Sequence, residues 1–234
     1  MPAKASETML TLDDQDRLSA LSAPREIVFV VDDDISVRES LKALIGFSGW
    51  EARAFATAKD FLAAQPATGP SCLVLDLNLP DLSGLDLQRH MAADRADMPI
   101  LFITGYGDVP TTVRAMKAGA IEFLTKPLVD DILLDAIRAA LTRSRATLAR
   151  SAERRSLRNR YGSLSRRERE VMALVVAGLP NKRVGAELGI TEITVKAHRG
   201  RVMEKMKAGS FADLVRMSAT LGQAPHAPTE AEPY

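Results

Sequence analysis

The chain has 234 residues, 46% hydrophobic and 26% charged, so it has room for two globular domains of ordinary size. Its single cysteine, Cys72, excludes an internal disulfide and a cysteine-based metal cluster. The first residues lack the apolar core of a secretion signal, and no stretch approaches the roughly 18 apolar residues of a membrane span. We therefore expect a cytoplasmic protein without a membrane segment.

The net charge of +1 conceals an uneven distribution along the chain. Residues 25–142 carry 11 basic and 17 acidic side chains, whereas residues 143–222 carry 18 basic and 7 acidic ones. An acidic half followed by a basic half indicates that nucleic acid is the partner of the second half.

The two ends of the chain are polar, rich in Ala and Pro, and nearly without periodicity. We expect a mobile N-terminal extension over residues 1–25 and a mobile tail over residues 223–234. Between them, five apolar runs alternate with amphipathic stretches, a pattern typical of a doubly wound α/β domain with a parallel sheet. The predicted strands are 27–31, 51–55, 72–75, 99–104 and 121–124, and the predicted helices are 35–47, 57–64, 84–94, 108–118 and one from about 129.

The last of these helices is predicted to continue as a basic linker over residues 143–161. Leu134, Leu141 and Leu148 repeat every seven residues with Ile137 between them, which predicts a short seam for a partner helix. A solvated helical linker is an equally good interpretation, because three heptads with serines at the intervening positions are marginal for a coiled coil.

Residues 162–222 show only helical periodicity and predict a small all-α domain of four helices. Ser165 and Glu168 form a capping-box pattern at the start of the first helix, and Gly178 is placed to end it. Gly189 closes a short second helix just before Thr191 starts a third. Two helices joined by a tight glycine-containing turn predict a helix-turn-helix. The predicted helices are 165–177, about 180–188, 191–207 and 210–221.

Acidic residues follow two predicted strands that are neighbours in a flavodoxin-like sheet. Asp32, Asp33 and Asp34 come directly after the first strand, and Asp76 ends the third. Carboxylates brought together repel one another, and a hard cation such as Mg²⁺ would hold them ionised. A solvated acidic turn would explain the three consecutive aspartates but not the residues at the other strand ends.

Thr104 ends the fourth predicted strand, and Lys126 follows the fifth. A hydroxyl and an ammonium at the same sheet edge supply a donor and a positive charge for phosphoryl oxygens. Asp76 is then the candidate nucleophile, because carboxylates attack phosphorus to form acyl phosphates.

The segments VVDDD, LVLDLNLP, FITG and FLTKP, in this order, resemble the receiver domain of two-component response regulators over residues 26–142. The resemblance implies phosphorylation of Asp76 and Mg²⁺ ligation by Asp32, Asp33, Asp76 and the carbonyl of Asn78. It also implies that Lys126 binds the phosphoryl group and that a cis proline, Pro127, follows it. Thr104 and Phe123 would be the switch pair. Asp34 stands where the family often has Glu.

Residues 164–221 resemble the four-helix DNA-binding domain of the LuxR/NarL/FixJ group, and TGYGDVPTTVRAMKAGA favours the FixJ-like branch. On the third helix Val195, Val202 and Met206 are predicted to be core, which leaves Ile193, among others, facing a DNA groove. His198 borders the apolar stripe, and packing is favoured over metal ligation. The predicted DNA-contacting residues are Lys182, Arg183, Thr194, Lys196, Ala197, Arg199, Gly200, Arg201 and Lys205, of which Lys182, Arg183, Arg199 and Lys205 are expected at phosphates.

These observations predict a transcription factor that a sensor histidine kinase phosphorylates and that dimerises on promoter DNA; it is not expected to be an enzyme. One rival is an Asp-nucleophile phosphatase, which predicts a capping domain and an acid two residues after the nucleophile, where this chain has Asn78. A second rival is a DNA-binding regulator whose receiver works without phosphate.

Overall fold

The computed structural model describes residues 25–95, 98–105 and 107–222. Of the predicted mobile segments, residues 1–24 and 223–234, which include His226, lie outside these residues. The chain divides into two compact units, one ending at Leu148 and the other beginning at Ala149. The division falls within the predicted linker. No helix in the described part of the chain is both long and apolar enough to cross a membrane.

A five-stranded parallel sheet forms the centre of the first unit. Its strand order is β2-β1-β3-β4-β5, the flavodoxin-like order that the sequence predicted. The strands are β1 (Ile27–Val31), β2 (Glu51–Phe55), β3 (Ser71–Asp76), β4 (Ile100–Thr104) and β5 (Glu122–Thr125).

Helices cover both faces of this sheet because β1, β3 and β4 are apolar on both faces and fully buried. One core contains Phe29, Phe61 and Phe102, and the core on the opposite face contains Ile45 and Leu101. The helices are α1 (Ile35–Phe47), α2 (Ala58–Ala63), α3 (Gly84–Asp94), α4 (Val109–Lys117) and α5 (Asp130–Gly162).

Of the three leucines in the predicted repeat on α5, one belongs to the core of the first unit, and Leu134 and Leu148 are half-buried. Ile137 and Leu141 are fully buried beside Leu133 and Ala140. The hydroxyl of the buried Ser144 accepts a hydrogen bond of 3.0 Å from the backbone N–H of Ser71, which ties this helix to the start of β3. Leu141 and Ile137 therefore cover the sheet and are not free for a partner helix, so the predicted seam would be left with Leu134 and Leu148.

The described residues of the second unit form helices and no strands, as predicted. Its cores include Leu157 at the end of α5 together with residues from all four following helices. Ser165 and Glu168 form the predicted capping box, and Gly178 and Gly189 have the positive φ angles that suit glycine. The helices are α6 (Arg166–Val176), α7 (Asn181–Leu188), α8 (Glu192–Met206) and α9 (Phe211–Thr220).

Candidate functional site

The carboxyl edge of the sheet gathers most of the predicted phosphorylation residues. Val31 lies opposite Leu75 in the β1–β3 register, so Asp32 and Asp76 each follow a paired position on neighbouring strands. Asp76 in turn lies opposite Ile103, which places Thr104 one residue further along β4. Parallel strands bring these residue types to one edge, where open α/β sheets carry their sites.

Lys126 bridges the two buried carboxylates at this edge. Its Nζ lies 2.7 Å from Oδ2 of Asp32 and 3.3 Å from Oδ1 of Asp76. Burial lowers the pKa of Lys126, but the hydrogen bond to Asp32 and the charges of Asp76 and Asp32 outweigh it, so the pKa lies above its ordinary value. The backbone N–H of Lys126 donates to the carbonyl of Thr104, and the Lys126–Pro127 peptide bond is cis.

The Asp76 carboxylate is buried and incompletely hydrogen-bonded. Burial raises its pKa above the ordinary value, Lys126 opposes this effect, and the charge of Asp32 adds to it. Oδ2 accepts a hydrogen bond of 3.2 Å from the backbone N–H of Asn78. Oδ1 has no well-formed hydrogen bond within the described part of the chain. Its ion pair with Lys126 at 3.3 Å leaves acceptor capacity on this oxygen for a ligand.

The donor set fits an open magnesium site better than a closed metal cage. No three acidic, His or Cys side chains among the described residues form a group that could hold a metal by themselves. Asp32 and Asp76 are buried and linked by Lys126, while Asp33 is exposed. Mg²⁺ keeps several waters and is commonly held by one or two carboxylates with phosphate oxygens, which suits this arrangement.

The two predicted switch residues lie on adjacent strands. Thr104 is fully buried at the end of β4. Phe123 is half-buried on β5, where its ring centroid lies 6.2 Å from that of Phe102. Phe123 therefore packs partly against the core through Phe102.

Two glycines that the sequence interpretation missed allow close approach to this site. A Cβ on Gly84 would lie 2.7 Å from the carbonyl oxygen of Asp76, too close for any other residue. A Cβ on Gly107 would lie 3.2 Å from the Phe123 ring and 3.3 Å from Thr125. Neither requirement follows from periodicity, because each depends on a chain segment brought close by the fold.

Three polar residues organise the loops around the site. Asp34 caps α1 by accepting from the backbone N–H of Ser36 at 2.7 Å. Asp81 accepts from two backbone N–H groups in the first turn of α2, at 3.0 and 3.2 Å, and these bonds contribute to lowering its pKa against burial. Arg38 binds the backbone of the acidic turn. The sequence predicted no role for Asp81 or Arg38.

The candidate DNA-reading surface is the exposed side of α8. Val195, Val202 and Met206 are buried as predicted. The opposite side exposes the predicted groove-facing residues, and Ile193 is 79% exposed. A Cβ added at Gly200 would meet no atom within 4 Å, so this side of the helix is open. The exposed set is Ile193, Lys196, Ala197, Gly200 and Arg201.

The other predicted DNA residues differ in their environment. Lys182 and Arg183 are exposed in the first turn of α7. Thr194 is half-buried, and its hydroxyl lies 2.9 Å from that of Thr191 in the cap of α8. Lys196 pairs with Glu192 one turn earlier at 3.3 Å, an exposed pair that contributes little to stability.

Arg199 and Lys205, two of the cations predicted at phosphates, have side-chain partners within the second unit. Arg199 donates to Oδ1 of Asn181 at 2.6 Å, and its guanidinium lies 5.7 Å from the ring centroid of Phe211. Lys205 lies 2.7 Å from Oε2 of the buried Glu168. Sequence spacing identified both as cations on α8 but could not show the helices that they contact.

His90 and His198, the histidines that the structure describes, belong to no group of side chains that could hold a metal. His198 is half-buried with its Nδ1 buried and without a hydrogen-bond partner in the described region, in keeping with packing against the apolar stripe. Nδ1 of His90 lies 2.8 Å from the carbonyl oxygen of Asp86 one turn earlier.

Family models match both units of the chain. The response regulator receiver domain model matches residues 28–138, and the model of bacterial regulatory proteins of the luxR family matches residues 162–218. The first match contains the Asp76 site, and the second contains the helix-turn-helix.

Relatives align across both units. Nodulation protein W of Bradyrhizobium diazoefficiens is 52% identical over 201 residues, covering 86% of this chain and 88% of that protein. The response regulator protein TodT of Pseudomonas putida is 40% identical, covering 88% and 91%. The transcriptional regulatory protein FixJ of Rhizobium meliloti is 42% identical, covering 85% and 97%.

Among solved structures, the response regulator StyR superposes with a TM-score of 0.76 at 44% identity, covering 83% of this chain and 98% of StyR. Full-length FixJ from B. japonicum gives a TM-score of 0.51 at 38% identity, covering 87% and 100%.

The fold and site therefore define a two-component response regulator. The chain belongs to the family that joins a receiver domain to a LuxR-type helix-turn-helix, with transcriptional regulators and not enzymes as its relatives.

Proposed function

We propose that a sensor histidine kinase phosphorylates Asp76 and that this modification controls dimerisation and promoter binding. The observation that carries the proposal is the buried Asp76 carboxylate, whose Oδ1 lies 3.3 Å from Lys126 and makes no well-formed hydrogen bond among the described residues. The carboxylate oxygen would attack phosphorus while the bond to the phosphodonor breaks, leaving an acyl phosphate.

The residues around Asp76 are suited to a phosphoryl group. Lys126 would exchange part of its contact with Asp32 for the phosphoryl oxygens, which a cation stabilises strongly in a buried site. Asp32, Asp33, Asp76 and the carbonyl of Asn78 would hold Mg²⁺, and the metal would neutralise negative charge on the phosphoryl oxygens when bound.

The switch would run from Thr104 to the surface of the first unit. A movement of the Thr104 hydroxyl toward the phosphoryl group would free space into which Phe123 moves further. The surface built by α4, β5 and the start of α5 would then change shape. This surface exposes Val109, Val113 and Met116 on α4, apolar side chains suited to a dimer contact.

The second unit would bind promoter DNA in the cytoplasm as a dimer on paired half-sites. The exposed side of α8 would enter the major groove, where Lys196 and Arg201 can reach base edges or phosphates. Lys182 and Arg183 on α7 would neutralise phosphates, which positions the unit without reading sequence.

Labelling the chain with a radioactive phosphodonor tests the proposal. Asp76→Asn should abolish acid-labile label, because an amide is a far poorer nucleophile and loses a charge. Asp135→Asn is a matched control, since Asp135 is exposed on α5 and pairs only with Arg138 among the described residues. Full labelling of Asp76→Asn would place the acceptor elsewhere.

A further inference from the structure

Arg38 holds the turn that carries two of the acidic residues. It is the fourth residue of α1, and its Nη1 donates to the backbone carbonyl oxygen of Asp32 at 2.7 Å and to that of Asp33 at 2.8 Å. Both carbonyls lie beyond the end of β1 at Val31. One guanidinium therefore satisfies two acceptors that follow the strand.

Three backbone N–H groups in and beside the turn are also hydrogen-bonded. The backbone N–H of Asp34 donates to Oδ1 of Asp32 at 2.9 Å, and that of Ser36 donates to Oδ1 of Asp34 at 2.7 Å. The N–H of Asp32 itself donates to Phe55 on β2. These bonds fix N–H groups, whereas Arg38 fixes carbonyl groups. Because a peptide unit is planar, fixing its carbonyl also fixes the direction in which the adjoining side chains leave the backbone.

The two cations at this turn differ in the atoms that they bind. Lys126 binds a carboxylate oxygen of Asp32 and so competes with any other cation for it. Arg38 binds only neutral carbonyl oxygens within the described structure, so the side chains of Asp32 and Asp33 lose no ligand atom to it. A guanidinium suits this task because it presents several donors in a rigid plane and remains charged at any physiological pH.

We propose that Arg38 is a positioning residue for divalent-cation binding, which holds the turn so that Asp32 and Asp33 direct their carboxylates to the cation beside Asp76. The inference rests on the proposed function. Residues that orient metal ligands without touching the metal commonly change its affinity 10- to 100-fold when they are replaced. The orienting bonds here run to the backbone of the ligands and not to their side chains.

Calorimetric titration of the full-length, unphosphorylated chain with MgCl₂ tests the proposal without measuring activity. Arg38→Met, which keeps length but removes every donor, should weaken Mg²⁺ binding about tenfold or more. Arg38→Lys should recover part of the loss, because an ammonium can donate to one carbonyl. Lys42→Met is the matched control, since Lys42 lies one turn further on the same helix and pairs with the exposed Glu39; its affinity should equal that of the wild type.

Thermal unfolding with and without MgCl₂ separates positioning from a merely structural role. Arg38→Met should lose most of the stabilisation that Mg²⁺ gives the wild type, and saturating Mg²⁺ should restore its labelling by a phosphodonor. A folded Arg38→Met with wild-type Mg²⁺ affinity overturns the inference, as does lower stability in chelator with unchanged affinity. If Arg38→Met does not fold, equal affinities in Arg38→Lys and wild type overturn it. Absence of Mg²⁺ binding by the wild type would instead contradict the proposed function.

Discussion

At the scale of single residues, charge is distributed differently in the two units. In the first unit one ammonium, that of Lys126, serves two buried carboxylates, so negative charge at the edge of the sheet is undercompensated. In the second unit the buried Glu168 has two partners on its Oε2 atom: the Lys205 ammonium at 2.7 Å and the backbone N–H of Ser165 at 2.8 Å. The first arrangement leaves capacity for a ligand, and the second stabilises a helix start.

The Glu168 contacts predict a pH-dependent contribution to stability. The Lys205 hydrogen bond, followed by the Ser165 N–H, lowers the Glu168 pKa from its ordinary 4.5 to about 2. Because the folded pKa is lowered, the stabilisation is complete above about pH 4.5 and is lost as the pH falls toward 2. Glu168→Gln should therefore destabilise the second unit by roughly 2–3 kcal/mol at pH 7.

Thermal unfolding followed by circular dichroism between pH 2 and pH 7 measures this effect. The difference in stability between Glu168→Gln and wild type should shrink as the pH approaches 2. Glu170→Gln is the control, because Glu170 forms surface pairs with Arg166 and Arg167 and its loss should have little effect. A stability difference that does not change with pH would show that the carboxylate charge is not what stabilises the helix start.

At the scale of elements, α5 shows why an apolar repeat alone does not identify its partner. The heptad positions of Leu134, Leu141 and Leu148 fit a coiled coil, but the sheet was a nearer apolar surface. Ile137 and Leu141 pack against it, while Leu134 and Leu148 are only half-buried. The basic character of the following residues was predicted correctly, since charge can be counted without knowing the fold.

Leu141→Ala should destabilise the first unit by about 2–5 kcal/mol, the usual cost of deleting a buried leucine. Urea unfolding followed by the fluorescence of Trp50, the single tryptophan, reports on this unit. Leu148 occupies the equivalent heptad position but is half-buried. Leu148→Ala should therefore lower the free energy of unfolding by less. If Leu141→Ala dimerises less than wild type but keeps the wild-type unfolding transition of Trp50, the result would support the predicted seam for a partner helix.

Helices α7 and α8 each carry a cation that the sequence analysis placed at a DNA phosphate. Lys182 on α7 is exposed, whereas Arg199 on α8 contacts Asn181 and Phe211. Removing a phosphate contact reduces the salt dependence of DNA binding by about one unit of slope, whereas misaligning a helix weakens binding without that change. Lys182→Ala should therefore lower the slope. Arg199→Lys, which keeps the charge, should weaken binding at every salt concentration.

The measurement is the dissociation constant for a duplex selected from random sequences, determined from 50 to 300 mM KCl. Arg199→Ala provides the decisive comparison, because it removes the charge as well. An unchanged slope in Arg199→Ala supports a role in holding α7, α8 and α9 together. A slope lower by about one unit would support the phosphate contact that the sequence predicted.

Most elements could be predicted from the sequence because their periodicities are strong and their ends are marked by capping residues and glycines. The helices 35–47 and 84–94 have the predicted ends, and Ser83 and Asp34 supply their caps. The residues that could not be predicted act across the fold. Arg38 reaches back to a turn, Gly84 approaches the Asp76 carbonyl, and Lys205 meets Glu168, 37 positions earlier in the chain. Such contacts depend on packing, which a local pattern does not encode.

At the scale of the whole molecule, function is divided between an acidic unit that carries the Asp76 site and a basic unit that carries the helix-turn-helix. The division suits the proposed mechanism, because negative charge gathers a cation and a phosphoryl group in one unit while positive charge attracts DNA to the other. Control then requires that modification of the first unit changes the behaviour of the second.

Sedimentation of the full-length chain in the presence of a selected DNA duplex, with and without acetyl phosphate and Mg²⁺, tests that requirement most directly. We expect wild type at micromolar concentration to move from mainly monomer to dimer on phosphorylation and to bind DNA more tightly, and Asp76→Asn to do neither. Equal mass and equal DNA affinity of wild type with and without the phosphodonor would contradict the account, as would a phosphodonor response that persists in Asp76→Asn.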